Sequence, residues 1–164
     1  MAGRITKSDE QLRPDPRFGD RTLSKFINCV MSDGKKAVAT RVVYDALEEI
    51  QRRLDKDKSE ALPKTAIEVF HKAIENVRPE VEVRSKRVGG ANYQVPMQLN
   101  KRRQTSLTFR WIIGAARDEK GKPMAMRLAK ELFESASGQS KSITVKDNTH
   151  KMADANKAFA HFAW

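Results

Sequence analysis

The sequence predicts a mainly α-helical domain: a six-helix bundle, a protruding two-stranded β-hairpin between helices three and four, and an extended N-terminal arm. Three observations predict it. Apolar residues recur at helical spacing in six separate stretches. One region departs from that period: Glu80-Val81-Glu82-Val83-Arg84-Ser85-Lys86-Arg87-Val88 and Tyr93-Gln94-Val95-Pro96-Met97-Gln98-Leu99 alternate in twos around Gly89-Gly90, the pattern of a hairpin. Residues 1–19 carry no periodic apolar pattern, and Pro14-Asp15-Pro16 forbids a helix there. A length of 164 residues favours one domain with one moderate core. The division is therefore 1–19 as arm and 20–164 as domain, with the hairpin at about 80–99.

In order along the chain, Asp20 is placed to cap the first helix, and Leu23, Phe26, Ile27, Val30 and Met31 line its inner face. Ser32-Asp33-Gly34 ends it, and Lys35-Lys36 stand at the turn into a second helix lined by Ala39, Val43, Leu47, Ile50 and Leu54. The run Asp55 to Glu60 reads as a solvated loop. A third helix starts near Pro63, a residue suited to a first turn, buries Ala66, Phe70, Ala73 and Val77, and stops at Arg78-Pro79. After the hairpin, Leu107, Trp111 and Ala115 mark the inner face of a fourth helix. Arg103, Arg110 and Arg117 stand seven apart on it, a spacing that drifts only about 20° per step around the axis. Gly121-Lys122-Pro123 precedes a fifth helix with Ala125, Leu128, Leu132 and Ala136 inside. Ser140 to Thr144 reads as a polar connector, and a sixth segment with Met152, Asn156, Phe159 and Ala160 on one side runs to Trp164.

The formal charge is +11 and the pI near 10, which points to nucleic acid or an anionic surface as partner. That charge is concentrated. Residues 78–117 hold nine Lys/Arg (78, 84, 86, 87, 101, 102, 103, 110, 117) against Glu80 and Glu82, a surplus of seven, whereas 37–77 hold seven basic groups against eight acids. Helices two and three therefore read as scaffold, and the hairpin with helix four as the working surface. Arginine suits that surface because its planar fork matches phosphate oxygens and stacks on bases. Arg84 and Lys86 share one side of a strand, with Arg87 near the tip. Seven strand residues make an arm of about 23 Å. An isolated two-stranded arm is marginal in water, so its outer part is expected to order on its partner. Gly89-Gly90 permit a tight turn and close approach to a ligand. Tyr93 has two readings, a base-stacking platform or a cross-strand packing partner for Val83 or a neighbour. Trp111 reads as core.

Other chemistry is hard to find. No apolar run approaches the roughly 18 residues of a membrane span, and the first residues lack the apolar segment of a signal peptide. Gly34-Lys35 has neither the upstream glycine nor the downstream Ser/Thr of a P-loop, since positions 29 and 36 are Cys and Lys. His71, His150 and His161 are scattered, with no metal-binding spacing, and read as packing or surface residues. Cys29, the single cysteine, suits a reducing compartment and reads as an inert small hydrophobe among apolar neighbours. No catalytic residue, metal, cofactor, membrane or small-molecule substrate is predicted. Two rivals to an RNA-binding structural protein stay open: a DNA-architectural protein with Val88 or Pro96 as apolar wedges, and an RNA-modifying enzyme, which needs a reactive cluster absent from the sequence.

Several motifs closely resemble one family. They are Pro14-Asp15-Pro16-Arg17-Phe18-Gly19, Met31-Ser32-Asp33-Gly34-Lys35-Lys36, Asn76-Val77-Arg78-Pro79, Arg87-Val88-Gly89-Gly90 through Tyr93-Gln94-Val95-Pro96, and Met152 through His161. In order from about Pro14 to Trp164, the chain resembles the number-seven family of bacterial small-subunit ribosomal proteins. The resemblance implies a six-helix bundle with a β-ribbon that binds the 3′ major domain of small-subunit rRNA directly, nucleates head assembly, and lies near exit-site tRNA and mRNA. By matching positions it implies rRNA contacts at Lys35, Lys36, Arg78, Arg84, Lys86, Arg87, Lys101, Arg102, Arg103 and Arg110. The tip, Arg87, Val88, Gly89, Gly90 and Tyr93, would lie nearest tRNA and mRNA. Neighbours would be the head and platform ribosomal proteins numbered nine and eleven. The implied setting is a cytoplasmic ribosome, with an organellar one left open. Ser8-Asp9-Glu10 dilutes the basic cluster usual at the family's N-terminus, and Phe162-Ala163-Trp164 lacks a basic residue often found at the family's extreme C-terminus.

Overall fold

Six amphipathic helices close around one core in the computed structural model, which describes residues 11–56 and 63–163. They are α1 (Arg21–Val30), α2 (Lys36–Lys56), α3 (Ala66–Val77), α4 (Lys101–Asp118), α5 (Met124–Ala136) and α6 (Lys141–Ala155), with a 3-10 helix, Lys157–Phe162, after the last. Between α3 and α4 stand the antiparallel strands β1 (Val81–Val88) and β2 (Ala91–Gln98). The predicted bundle and the hairpin between its third and fourth helices are the observed ones. The first ten residues of the N-terminal arm, the 57–60 part of the charged loop, and Trp164 lie outside the described residues.

Helix α5 is the hub, packed against α2, α3, α4 and α6. The periodic apolar residues meet as the spacing demands: Leu23, Phe26, Ile50, Val69, Phe70, Phe109, Ile112, Leu128 and Leu132 are all buried. Phe26 sits edge-on to Phe70 and Phe109, with ring centroids 5.3 and 5.2 Å away. This junction joins α1, α3 and α4 through three rings, in the T-shaped geometry that aromatic quadrupoles favour.

Caps explain where the helices begin. Asp20 accepts from the Thr22 and Leu23 amides and caps α1 as expected. Helix α3 starts at Ala66, a little later than Pro63, because Thr65 accepts from the Glu68 amide and is the cap. The larger correction is at 140–144, which is the first turn of α6 and not a connector. Ser140 accepts from the Ile143 amide, and Ser142 donates its amide (2.9 Å) and its hydroxyl to buried Glu131. Polar residues there are helix-starting residues, which composition alone does not separate from loop.

Of the described part of the arm, 11–19, Gln11 is helical and 12–19 are not, yet the segment is tied down. Asp15 is buried, accepts from the Arg17 and Phe18 amides, and receives the Tyr44 hydroxyl at 2.8 Å. The C-terminus also differs from a simple sixth helix. Helix α6 ends at Ala155, and the chain doubles back as a 3-10 turn that packs on β2.

Candidate nucleic-acid interface

Strand pairing decides which hairpin side chains can meet a ligand. The register pairs Glu82 with Met97, Arg84 with Val95, Lys86 with Tyr93, Arg87 with Asn92 and Val88 with Ala91. Only Gly89 and Gly90 form the loop, with φ of +58° and +90°. Positive φ at both positions is what a two-residue turn matched to strand twist requires, and glycine reaches it without strain. Directly paired residues share a face. One face of the ribbon therefore carries Glu82, Arg84, Lys86, Tyr93, Val95 and Met97, and the other carries Ser85, Arg87, Asn92 and Gln94.

Much of the first face is covered by the protein itself, although Arg84 on it stays exposed. Helix α6 packs along β1 and the 3-10 turn packs on β2. Tyr93 lies against Phe159 and Phe162, centroids 5.1 and 5.3 Å away, and Lys86 donates from Nζ to the Phe162 carbonyl at 2.8 Å. Tyr93 thus packs, but across to the C-terminus, with Lys86 and not Val83 opposite it. The ribbon is not an isolated arm. Only the last two residue pairs and the glycine turn extend beyond Tyr93, a reach of about 10 Å at strand rise, not 23 Å. Order in the ribbon up to Tyr93 comes from this third layer within the chain.

At the base of the ribbon the basic residues converge. Asn100 accepts from the Arg103 amide and caps α4. The first turn of α4 is then Lys101-Arg102-Arg103, with no acid in it. Cations there oppose the helix dipole, whose N-terminus is already positive. The arrangement costs stability alone and favours an anion nearby. Glu82, 6% exposed, links this turn to the ribbon. One carboxylate oxygen accepts from Arg84 Nε and the other from Arg103 Nε, the latter at 2.8 Å.

The other expected residues are spread around this centre. Arg78 follows α3 and lines a shallow cleft with Arg21, Thr22, Lys25, Ile74 and Thr105. Arg21 and Lys25 were not singled out from the sequence, although their i, i+4 spacing opposite the apolar face of α1 is a readable sign of a basic stripe. Arg110 is exposed and borders two further clefts. One, of about 350 Å³, also holds Cys29, Ser106, Gly114 and Arg117; the other holds Trp111, Ala115, Lys141 and Val145. The arginine row on α4 is therefore differentiated. Arg103 is bound to Glu82, Arg117 donates to the Val30 carbonyl at 3.3 Å, and Arg110 has no side-chain partner among the described residues. Lys35 and Lys36 stand in the α1–α2 turn; Lys35 lies 3.9 Å from Asp33, and neither is brought to the ribbon.

Two other expectations change. Cys29 is exposed at the rim of its cleft and not packed inward; partial burial nevertheless raises its pKa, with Lys25 pulling the other way. Trp111 is half-buried beside the core, because Phe109, Ile112 and Ile113 take the innermost positions on α4. The histidines make local contacts: His71 Nε2 lies 2.5 Å from an Asp20 carboxylate oxygen, His150 Nε2 accepts from the Glu80 amide, and His161 Nδ1 lies 2.8 Å from the Ala158 carbonyl. Among the described residues no group of His, Cys, Asp and Glu could hold a metal ion, and no helix is long and apolar enough to cross a membrane.

Comparison with known proteins agrees with the sequence motifs. A sequence profile described as ribosomal protein S7p/S5e matches residues 2–157. The small ribosomal subunit protein uS7 of Rhodopirellula baltica is 59% identical over 162 residues, 99% of each chain. Its namesake in Paracoccus denitrificans is 45% identical over the whole of both chains. That of Pseudothermotoga lettingae is 50% identical over 94% of each. These relatives are structural proteins of the ribosome and not enzymes. The chain belongs to the ribosomal protein S7p/S5e family.

Proposed function

We propose that this ribosomal protein is a primary RNA-binding component of the small subunit, acting in the cytoplasm of a bacterial cell. It grips the 3′ major domain of small-subunit rRNA with the base of its ribbon and the first turn of α4. It nucleates head assembly there and holds the ribbon tip toward exit-site tRNA and mRNA, beside ribosomal proteins nine and eleven. The observation that carries the reading is the junction at Glu82. Arg84 and Arg103 meet at one buried carboxylate where a ribbon joins a helix N-terminus, and Lys101 and Arg102 stand in the same first turn. Such a surface is poor as scaffold and suited to a phosphate backbone, which rewards arginine forks and positive helix ends together. Val88 and Pro96 are weak candidates for DNA-kinking wedges, since Val88 is half-buried in the last pair of the ribbon and Pro96 lies near its base opposite Val83.

Filter binding of the full chain to a 3′ major domain rRNA fragment tests this. Neutralising about five phosphates makes log affinity fall with log salt at a slope of roughly −3.5 to −4.5. Flat affinity between about 50 and 200 mM salt overturns the proposal, as does tighter binding to duplex DNA than to the structured RNA.

A further inference from the structure

We propose that Glu82 is a positioning residue for RNA binding: it holds Arg84 and Arg103 as one preorganised unit for a phosphodiester. The inference rests on the function proposed above. Glu82 is nearly buried, and each of its two carboxylate oxygens takes one arginine. A buried carboxylate must be paired, and one arginine could have done that. Two are present, so the cluster keeps a net positive charge.

The way they are held matters more. Both guanidiniums donate to Glu82 through Nε. A guanidinium has five N–H donors, so spending one at Nε leaves the outer Nη groups of each for another acceptor. Among the described residues those groups make no hydrogen bond to protein. The two arginine side chains are 44% and 35% exposed, while that of Glu82 is 8% exposed. The carboxylate thus works from beneath, fixing two flexible side chains that belong to different elements, β1 and α4. Long side chains that bind from a disordered state lose rotamer freedom on binding, and holding them beforehand removes that loss. Glu82 stands on the chain's most basic stretch, where a negative charge otherwise only weakens attraction to RNA.

That last point supplies the test, because charge and positioning predict opposite signs. Glu82→Gln raises the formal charge by one and keeps the shape. If Glu82 acts only through its charge, the variant binds the rRNA fragment more tightly. If Glu82 positions the two arginines, the variant binds about three- to tenfold more weakly despite the added positive charge, with a salt slope shallower by up to about one. A simple loss of folding is separated by repeating Glu82→Gln in an Arg84→Ala/Arg103→Ala background. Positioning requires that the substitution then costs no further affinity, whereas a structural role lowers affinity there as well. Arg103→Lys, which keeps charge but not the fork, is the second variant; weakening of about threefold or more is expected. Unchanged or tighter binding by Glu82→Gln overturns the inference while wild-type salt dependence leaves the proposed function standing. Salt-independent wild-type binding overturns the proposed function itself.

Discussion

The base and the tip of the ribbon are built from similar residues and have opposite surroundings. At the base, Val95 is fully buried, Glu82 nearly so, and Arg84 is bound to a carboxylate shared with another element. At the tip, Arg87 has no side-chain partner among the described residues, and Gly89, Gly90, Ala91 and Asn92 are exposed. The boundary is sharp and lies at the Lys86–Tyr93 pair, where the C-terminal turn stops covering the strands. Charge alone does not distinguish these ends. Support does: the base is held by contacts within the chain, and the tip lies beyond the C-terminal turn that covers the strands.

The largest expected effect breaks the base. Arg102→Glu with Arg103→Glu reverses two charges on the first turn of α4. A hydrogen bond to a charged group is worth about 1.5–3 kcal/mol, and about 1.4 kcal/mol is tenfold in affinity. Binding to the rRNA fragment should therefore fall about a hundredfold or more. Glu48→Lys with Glu49→Lys, on α2, should change it by much less, and Arg87→Glu at the tip should weaken it far less than the reversal at the base. Equal losses for base and tip in filter binding would show that support makes no difference.

The next effect concerns the boundary itself. Tyr93→Ala removes the ring that Phe159 and Phe162 rest on, and each such contact is worth about 0.5–1.5 kcal/mol beyond buried area. Hydrogen exchange at residues 159–162 should speed up, and the ribbon beyond Val95 should lose protection with it, while α1 to α5 stay protected. If the ribbon's protection is unaffected, the C-terminal turn does not support it.

Much of this arrangement was legible in the sequence, and the part that was not shares one property. Helical period, the change to period two at 80–99, and Gly89-Gly90 are local signals, and they specify the bundle and the hairpin. The surplus charge of 78–117 is a local signal too, and it singles out the stretch proposed as the RNA-binding surface. What local pattern does not carry is which segment covers which. Tyr93 could be read as a base-stacking platform because its partners lie 66 and 69 residues away, at Phe159 and Phe162. Glu82 counted only as a negative charge because Arg103 lies 21 residues on. The polar run 140–144 hid a helix start because Ser142 is satisfied by Glu131, on the preceding helix. Cys29 looked apolar by its neighbours in sequence, yet the helix turns it outward to the cleft beside Arg110.

The smallest effect on rRNA binding belongs to the tip. Gly90 has φ of +90°, and a Cβ there would meet nothing within 4 Å. Substitution is therefore a matter of backbone strain and not of space. Gly90→Val costs about 1–2 kcal/mol if the turn keeps its shape, and a turn that relaxes can avoid that cost by fraying only Val88 and Ala91. Because the C-terminal turn holds the strands from Tyr93 inward, fraying has nowhere to spread. The expected outcome is a tip altered in hydrogen exchange, wild-type affinity and salt slope for the rRNA fragment, and weakened crosslinking to exit-site tRNA in assembled subunits. A loss of rRNA affinity comparable to that of the Arg102/Arg103 reversal would mean that the tip and base act as one rigid unit, and that the Lys86–Tyr93 pair is not the boundary.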